Sequence, residues 1–178
     1  LNWAPSVMFR YMFNKQHVLM FRYRGRSSTP NIEDLQEVID ITDPMNLRYG
    51  NPNLKPSFNN NFTLDYRKFV PESMRSYSAN LYYTSTLNSV ANRMTYDPQT
   101  GARVYKKENV NGNWQARGFF SFNTPLKNKK FTISSNTNAR FSDAVSYTSV
   151  GSSKNADQEL STTHNLGLGE RFTSSYRS

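Results

Sequence analysis

The chain has 178 residues, the size of one domain, with no cysteine, 36% hydrophobic residues and 14% aromatics. That apolar content falls below the ~45–50% of an ordinary globular core, yet the aromatics exclude a disordered chain. The absence of cysteine excludes a disulfide scaffold, thiolate metal sites and a cysteine nucleophile.

Along the chain the dominant period is 2, the signature of strands with two different faces. The first predicted strand, Ser6 to Asn14, puts Val7, Phe9, Tyr11 and Phe13 opposite Met8, Arg10 and Met12. A tight turn at Asn14-Lys15-Gln16 leads into a second strand, His17 to Ser27, with Leu19, Phe21 and Tyr23 opposite Arg22, Arg24 and Arg26. Asn31 to Ile41 reads as a short helix with Asn31 as N-cap and Ile32, Leu35 and Ile39 on one face. The third strand, Ser57 to Lys68, sets Phe58, Phe62, Leu64 and Tyr66 against Asn59, Asn61, Thr63, Asp65 and Arg67. The fourth, Arg75 to Leu87, carries Tyr77, Ala79, Leu81 and Tyr83 on one side. Tyr96-Asp97-Pro98-Gln99-Thr100-Gly101 is a turn, with proline fixing φ and glycine supplying positive φ. Its flanks form an external hairpin. The fifth strand, Gly112 to Thr124, shows Trp114, Ala116, Gly118, Phe120 and Phe122; the sixth, Phe131 to Phe141, sets Ile133, Ala139 and Phe141 against Asn136, Asn138 and Arg140. A weaker seventh runs from Leu160 to Gly169, and an eighth begins near Arg171.

Short connections (Asn14-Lys15, Val70 to Ser73, Leu126 to Lys129) alternate with long ones (Ser28 to Pro56, Asn88 to Asn111, Ser142 to Glu159). Together with alternating polar and apolar positions, this describes an antiparallel up-and-down meander of a transmembrane β-barrel, with short inner turns and long outer loops. No apolar run reaches the ~20 residues of a membrane helix. A charge on the lipid face costs ~2–4 kcal/mol at the midplane. The charged side chains opposite the aromatics, Arg10, Arg22, Arg24, Asp65, Arg117 and Arg140, are therefore expected to face the lumen. Asp65 is placed to pair with Arg22 or Arg24.

Arg48, Tyr49, Asn51 and Trp114 fall in or near outer loops and are candidate ligand-binding residues. The plainer reading of Gly50, Asn51 and Pro52 is turn chemistry that aims the chain into the third strand. The acidic cluster Glu33, Asp34, Glu37, Asp40 and Asp43 lacks a calcium-loop pattern and reads as a solvated helix face. The only histidines are His17 and His164, and no Gly-x-Ser-x-Gly elbow is present. No catalytic residue, metal site or cofactor is expected. The net charge of +9 is scattered along the strands rather than gathered in a patch, so nucleic acid is not expected as a partner.

The segment Leu47-Arg48-Tyr49-Gly50-Asn51-Pro52-Asn53-Leu54-Lys55-Pro56 follows Ser28-Thr29-Pro30 and Ile41-Thr42-Asp43-Pro44. It precedes the Tyr96 to Gly101 turn and Asn109-Val110-Asn111-Gly112. In that order these elements resemble the outer-membrane barrel of TonB-dependent receptors; Ser57 departs from the acidic residue usual after Lys-Pro. The resemblance implies a Gram-negative outer-membrane location in contact with lipid. It also implies import of a scarce nutrient ligand, a plug domain filling the lumen, and energy from a TonB-type partner. No plug pattern is recognisable here. Against the ~22 strands of a plugged barrel, residues 1–178 are read as a partial barrel domain cut from a longer protein. In isolation, seven or eight strands have the option of closing as a small barrel or sandwich. The alternative is a soluble β-sandwich that binds carbohydrate or protein, in which the aromatic faces pack on each other around a dry core.

Overall fold

A computed structural model describes residues 3–37, 42–126, 130–149 and 158–176. The described residues form ten strands and one short helix: β1 (Ser6–Asn14), β2 (His17–Ser28), α1 (Ile32–Leu35), β3 (Asn46–Tyr49), β4 (Ser57–Val70), β5 (Arg75–Leu87), β6 (Ser89–Tyr96), β7 (Arg103–Val110), β8 (Asn113–Pro125), β9 (Phe131–Ser149) and β10 (Gln158–Tyr176). Seven of them form one sheet in the order β1-β2-β4-β5-β8-β9-β10, every neighbour antiparallel. This is the expected meander. The sheet is open, because β1 and β10 are its two edges and do not pair. Closure into a small barrel or sandwich does not occur.

The register explains why the sheet has two unlike faces. Phe9 pairs with Phe21, Phe21 with Leu64, Leu64 with Leu81, Leu81 with Gly118, Gly118 with Ala139 and Ala139 with Leu168. One row of apolar or small residues thus crosses all seven strands. Among the described residues none covers it: Phe9, Leu81, Phe120, Phe141 and Leu166 are exposed, and Leu168 is 72% exposed. A soluble sandwich would pack this face against a second sheet. Here the seven-stranded sheet is a single layer, and the aromatic faces do not meet across a dry core. The inverted burial fits lipid as the solvent of this face. β2, β4, β5 and β8 have 12, 14, 13 and 13 residues, longer than the ~9–11 that a tilted strand needs to cross a bilayer.

A ladder of rings edges the band on the loop side. Ring centroids are 4.9 Å apart for Tyr23–Phe62, 5.9 Å for Phe62–Tyr83 and 6.0 Å for Tyr83–Trp114. Toward the short turns, His17 stacks on Phe13 at 4.1 Å and meets the edge of Tyr66 at 5.2 Å, while Tyr77 and Phe122 lie 5.0 Å apart. Aromatics at both margins are the girdles of a membrane barrel.

The remaining strands build a cap above the loop end. β6 and β7 form the expected external hairpin, and β3 joins β7 in parallel. The buried hydrophobic side chains belong mainly to this region: Leu54, Met94, Ala102 and Val110, joined by Val145 from β9.

Three expectations need correction. The helix covers only Ile32–Leu35; Asn31 makes no side-chain cap, and the chain is already extended at Gln36. Residues 38–41 of the expected helix, Ile39 among them, lie outside the described residues. β9 extends to Ser149 rather than ending at Phe141. There is no eighth wall strand starting at Arg171, because β10 runs unbroken from Gln158 to Tyr176.

Candidate functional site

The polar face of the wall is cationic. Arg10, Arg22, Arg24, Arg117, Arg140 and Arg171 share it by strand parity and register. Among the described side chains of the wall, Asp65 is the carboxylate on that face. The hairpin closed between Val70 and Arg75 fixes Asp65 opposite Asn80. Arg22 Nη2 donates to Asp65 Oδ2 at 2.7 Å, and the Asn80 amide donates to Asp65 Oδ1. Asp65 is only 7% exposed, so these partners compensate the desolvation of its charge. Of the two arginines proposed for Asp65, the structure selects Arg22. The Asn80 contact was not foreseen, although the tight turn placed it opposite Asp65 in the sequence. Further rungs join Thr84 to Asn61 at 3.0 Å and Thr86 to Asn59 at 2.7 Å.

Arg117 and Arg140 sit on the other half of the face, directly opposite each other across β8 and β9. Both guanidinium groups reach one acceptor, Gln115 Oε1, at 3.3 and 3.5 Å. They border a cleft of about 550 Å³ that Tyr82, Thr84 and Asn138 also line. Arg22 and Arg24 border a second cleft, of about 610 Å³, with Tyr23 and Asn61.

The four loop candidates do not converge. Arg48 and Tyr49, in β3, line a cleft of about 350 Å³ on the cap with Asn92, Tyr105, Lys106 and Lys107. Asn51 instead fastens the cap. Its amide donates to the Lys107 carbonyl at 2.9 Å, its Oδ1 accepts from Asn53 N–H at 3.0 Å, and its own N–H donates to the Asp34 carbonyl at 2.7 Å. Gly50 is in such close contact that a Cβ there would lie 2.0 Å from the Gln36 carbonyl oxygen. Lys107 Nζ reaches Asp34 at 2.5 Å. Asp34 therefore serves an ion pair, while Asp43 closes its own turn onto Met45 and Asn46. Of the acidic cluster, Asp40 lies outside the described residues.

Trp114 is on the wall, at the end of the aromatic ladder. Its indole N–H donates to Asp143 Oδ2 at 3.1 Å, and Asp143 Oδ1 lies 2.7 Å from His164 Nδ1. An apolar ring with a polar tip suits this margin between lipid and water.

The cap leaves and re-enters the wall through Asn88 and Gly112, both at positive φ (51° and 107°). Asn88 N–H donates to Asn111 Oδ1 at 2.7 Å, and the Asn109 amide donates to the Asn88 and Lys55 carbonyls at 2.9 and 3.1 Å. The far side of the cap meets β9 through Glu108, which accepts from Tyr147 Oη at 2.6 Å and pairs with Arg93 at 3.4 Å. The hydrogen bond to Glu108, then burial, raises the Tyr147 phenol above its ordinary value. At the hairpin tip the Thr100 hydroxyl and the Gln99 N–H hold Asp97 below the usual carboxylate value.

A lipid-facing apolar band, aromatic margins, a polar inner face and an external cap together define the wall of an outer-membrane β-barrel. The sequence matches the outer membrane protein beta-barrel family over residues 1–176, and the chain belongs to that family. Neither a curated protein nor a solved structure matches it.

Proposed function

We propose that the chain is part of the wall of a receptor that imports a scarce nutrient, such as a metal chelate, glycan or peptide, across the outer membrane. The observation that carries this reading is the cap. It carries a basic, aromatic cleft bordered by Arg48, Tyr49, Tyr105 and Lys106, on the segments that join the loop ends of the wall strands. Outer loops of this kind capture a ligand, and the polar face offers it a path. The sequence elements from Leu47 to Pro56 and from Asn109 to Gly112 support a TonB-dependent mode. In it, a plug fills the lumen and an energy-coupling partner acts on that plug. The protein performs no chemistry on its cargo.

The test is genetic. Cells lacking the protein, and cells lacking the TonB-type partner, are grown on a panel of limiting iron chelates, glycans and peptides. Loss of growth on the same source in both strains is expected. Unchanged growth of the first strain, or loss in the first alone, overturns the TonB-dependent reading.

A further inference from the structure

We propose that Arg117 and Arg140 form an oxyanion site on the lumen wall, one that holds a carboxylate or phosphate group. The two guanidinium groups face each other at one register position of β8 and β9. Like charges directly opposite across strands are destabilising. Elsewhere on this face an arginine is matched by a carboxylate of the chain: Arg22 has Asp65 at 2.7 Å. Among the described residues, Arg117 and Arg140 have no acidic partner. Instead they converge on a neutral oxygen, Gln115 Oε1, at 3.3 and 3.5 Å. Two guanidinium forks aimed at one point suit bidentate recognition of a planar or tetrahedral oxyanion.

The surroundings supply room and further donors. The cleft of about 550 Å³ beside the pair brings in Tyr82, Thr84 and Asn138. On the neighbouring strand Arg140 faces Gly167, whose position leaves a hypothetical Cβ 4.0 Å from the nearest atom, Arg140 Cβ. No side chain from β10 therefore stands over the guanidinium at this register. The same oxyanion chemistry has two sources: a dissolved solute entering the lumen, or an acidic side chain of a segment of the protein packed inside the barrel. The site rests on the wall geometry and holds whether or not the protein imports a nutrient.

The experiment uses the full-length protein in detergent micelles and measures the thermal unfolding midpoint as inorganic phosphate replaces chloride at constant ionic strength. A phosphate-dependent rise that is lost in R117Q and R140Q, and kept in R22Q, identifies a site for a dissolved anion. Arg140→Lys keeps the charge without the fork and is expected to weaken the rise while folding normally. Where phosphate has no effect on the wild type, Arg140→Glu decides. With an acidic group of the protein already seated, the new carboxylate is repelled and the midpoint falls below that of R140Q. With the site empty, it pairs with Arg117 and the midpoint exceeds that of R140Q. That last result, or an equal phosphate effect in wild type and both glutamine variants, overturns the proposal. No uptake is measured, so a negative result leaves the import reading standing on its own test.

Discussion

The wall and the cap use the same kinds of residue in opposite ways. In the wall, large hydrophobic side chains such as Leu81 and Phe172 are exposed and a carboxylate, Asp65, is buried. In the cap, Met94 and Val110 are buried while Arg48 and Lys106 are exposed. The cap follows the ordinary rule of a water-soluble fold. The wall inverts it, because one of its faces is solvated by lipid and the other by a polar lumen. One chain is therefore built for two solvents, and the boundary falls at Asn88 and Gly112, where the backbone turns from one sheet into the other.

The sharpest way to break this contrast is to place one charge on each face of the wall. Leu81→Arg puts a cation into the exposed apolar row and is expected to cost ~2–4 kcal/mol. Ser121→Arg, on the polar face, is expected to change stability little. Reversible unfolding of the full-length barrel into lipid vesicles measures both. Equal costs would mean that the apolar row is not in lipid. Next in size is Asp65→Ala, which strips Arg22 and Asn80 of their shared acceptor. The expected loss is about 1–3 kcal/mol, toward the lower end because the Arg22 side chain is half exposed. The same unfolding assay reads it, and a neutral result would remove the network from the account of the wall.

A third change acts on the cap alone. In Gly50→Ala the added methyl would lie 2.0 Å from the Gln36 carbonyl oxygen and 2.7 Å from that of Asp34. Both are backbone atoms and cannot rotate away. The segment carrying α1 and β3 must move off β7, so protease cleavage between residues 28 and 57 should rise while the unfolding midpoint of the wall stays put. A parallel fall in the midpoint would show that wall and cap fold as one cooperative unit.

The same two-solvent logic explains what was legible in the sequence. β1 and β5 occupy the predicted limits because lipid on one face and lumen on the other impose a strict period of 2. Beyond Phe141 that contrast fades. β9 continues through Ser142, Asp143 and Ser146, and no lipid selects the side chains there. The length of β10 was hidden for a different reason: Gly169 looks like a break, so its second half, from Arg171, read as a separate strand. At Gly169 the glycine leaves space for the Asn138 side chain, which a Cβ would approach within 2.8 Å. The parallel pairing of β3 with β7 joins residues more than fifty positions apart, and no local pattern signals it. Among the site residues, the shared polar face of the arginines followed from parity alone. The structural duty of Asn51 depended on Lys107, far along the chain.

The smallest expected effect lies where the wall strand β9 rises to touch the cap. Tyr147 Oη donates to Glu108 at 2.6 Å, and the Arg93 guanidinium lies 5.6 Å from the centre of the Tyr147 ring. Ionising the phenol would remove the donor and set two negative charges against each other, so the folded protein holds the proton above the ordinary value of 10.0. A group whose folded value is raised contributes stability below its unfolded value and loses it as pH climbs through the folded one. The contact is therefore intact at neutral pH and weakens only above about pH 10. Tyr147→Phe keeps the ring beside Arg93 but deletes the donor. It is expected to cost about 0.5–1.5 kcal/mol of cap docking and to abolish the alkaline component. Protease cleavage in β6 and β7, followed from neutral to alkaline pH, reads both effects. If the variant retains the alkaline rise in cleavage, the cap is released by another group, and the seam between the two solvents is not held by Tyr147.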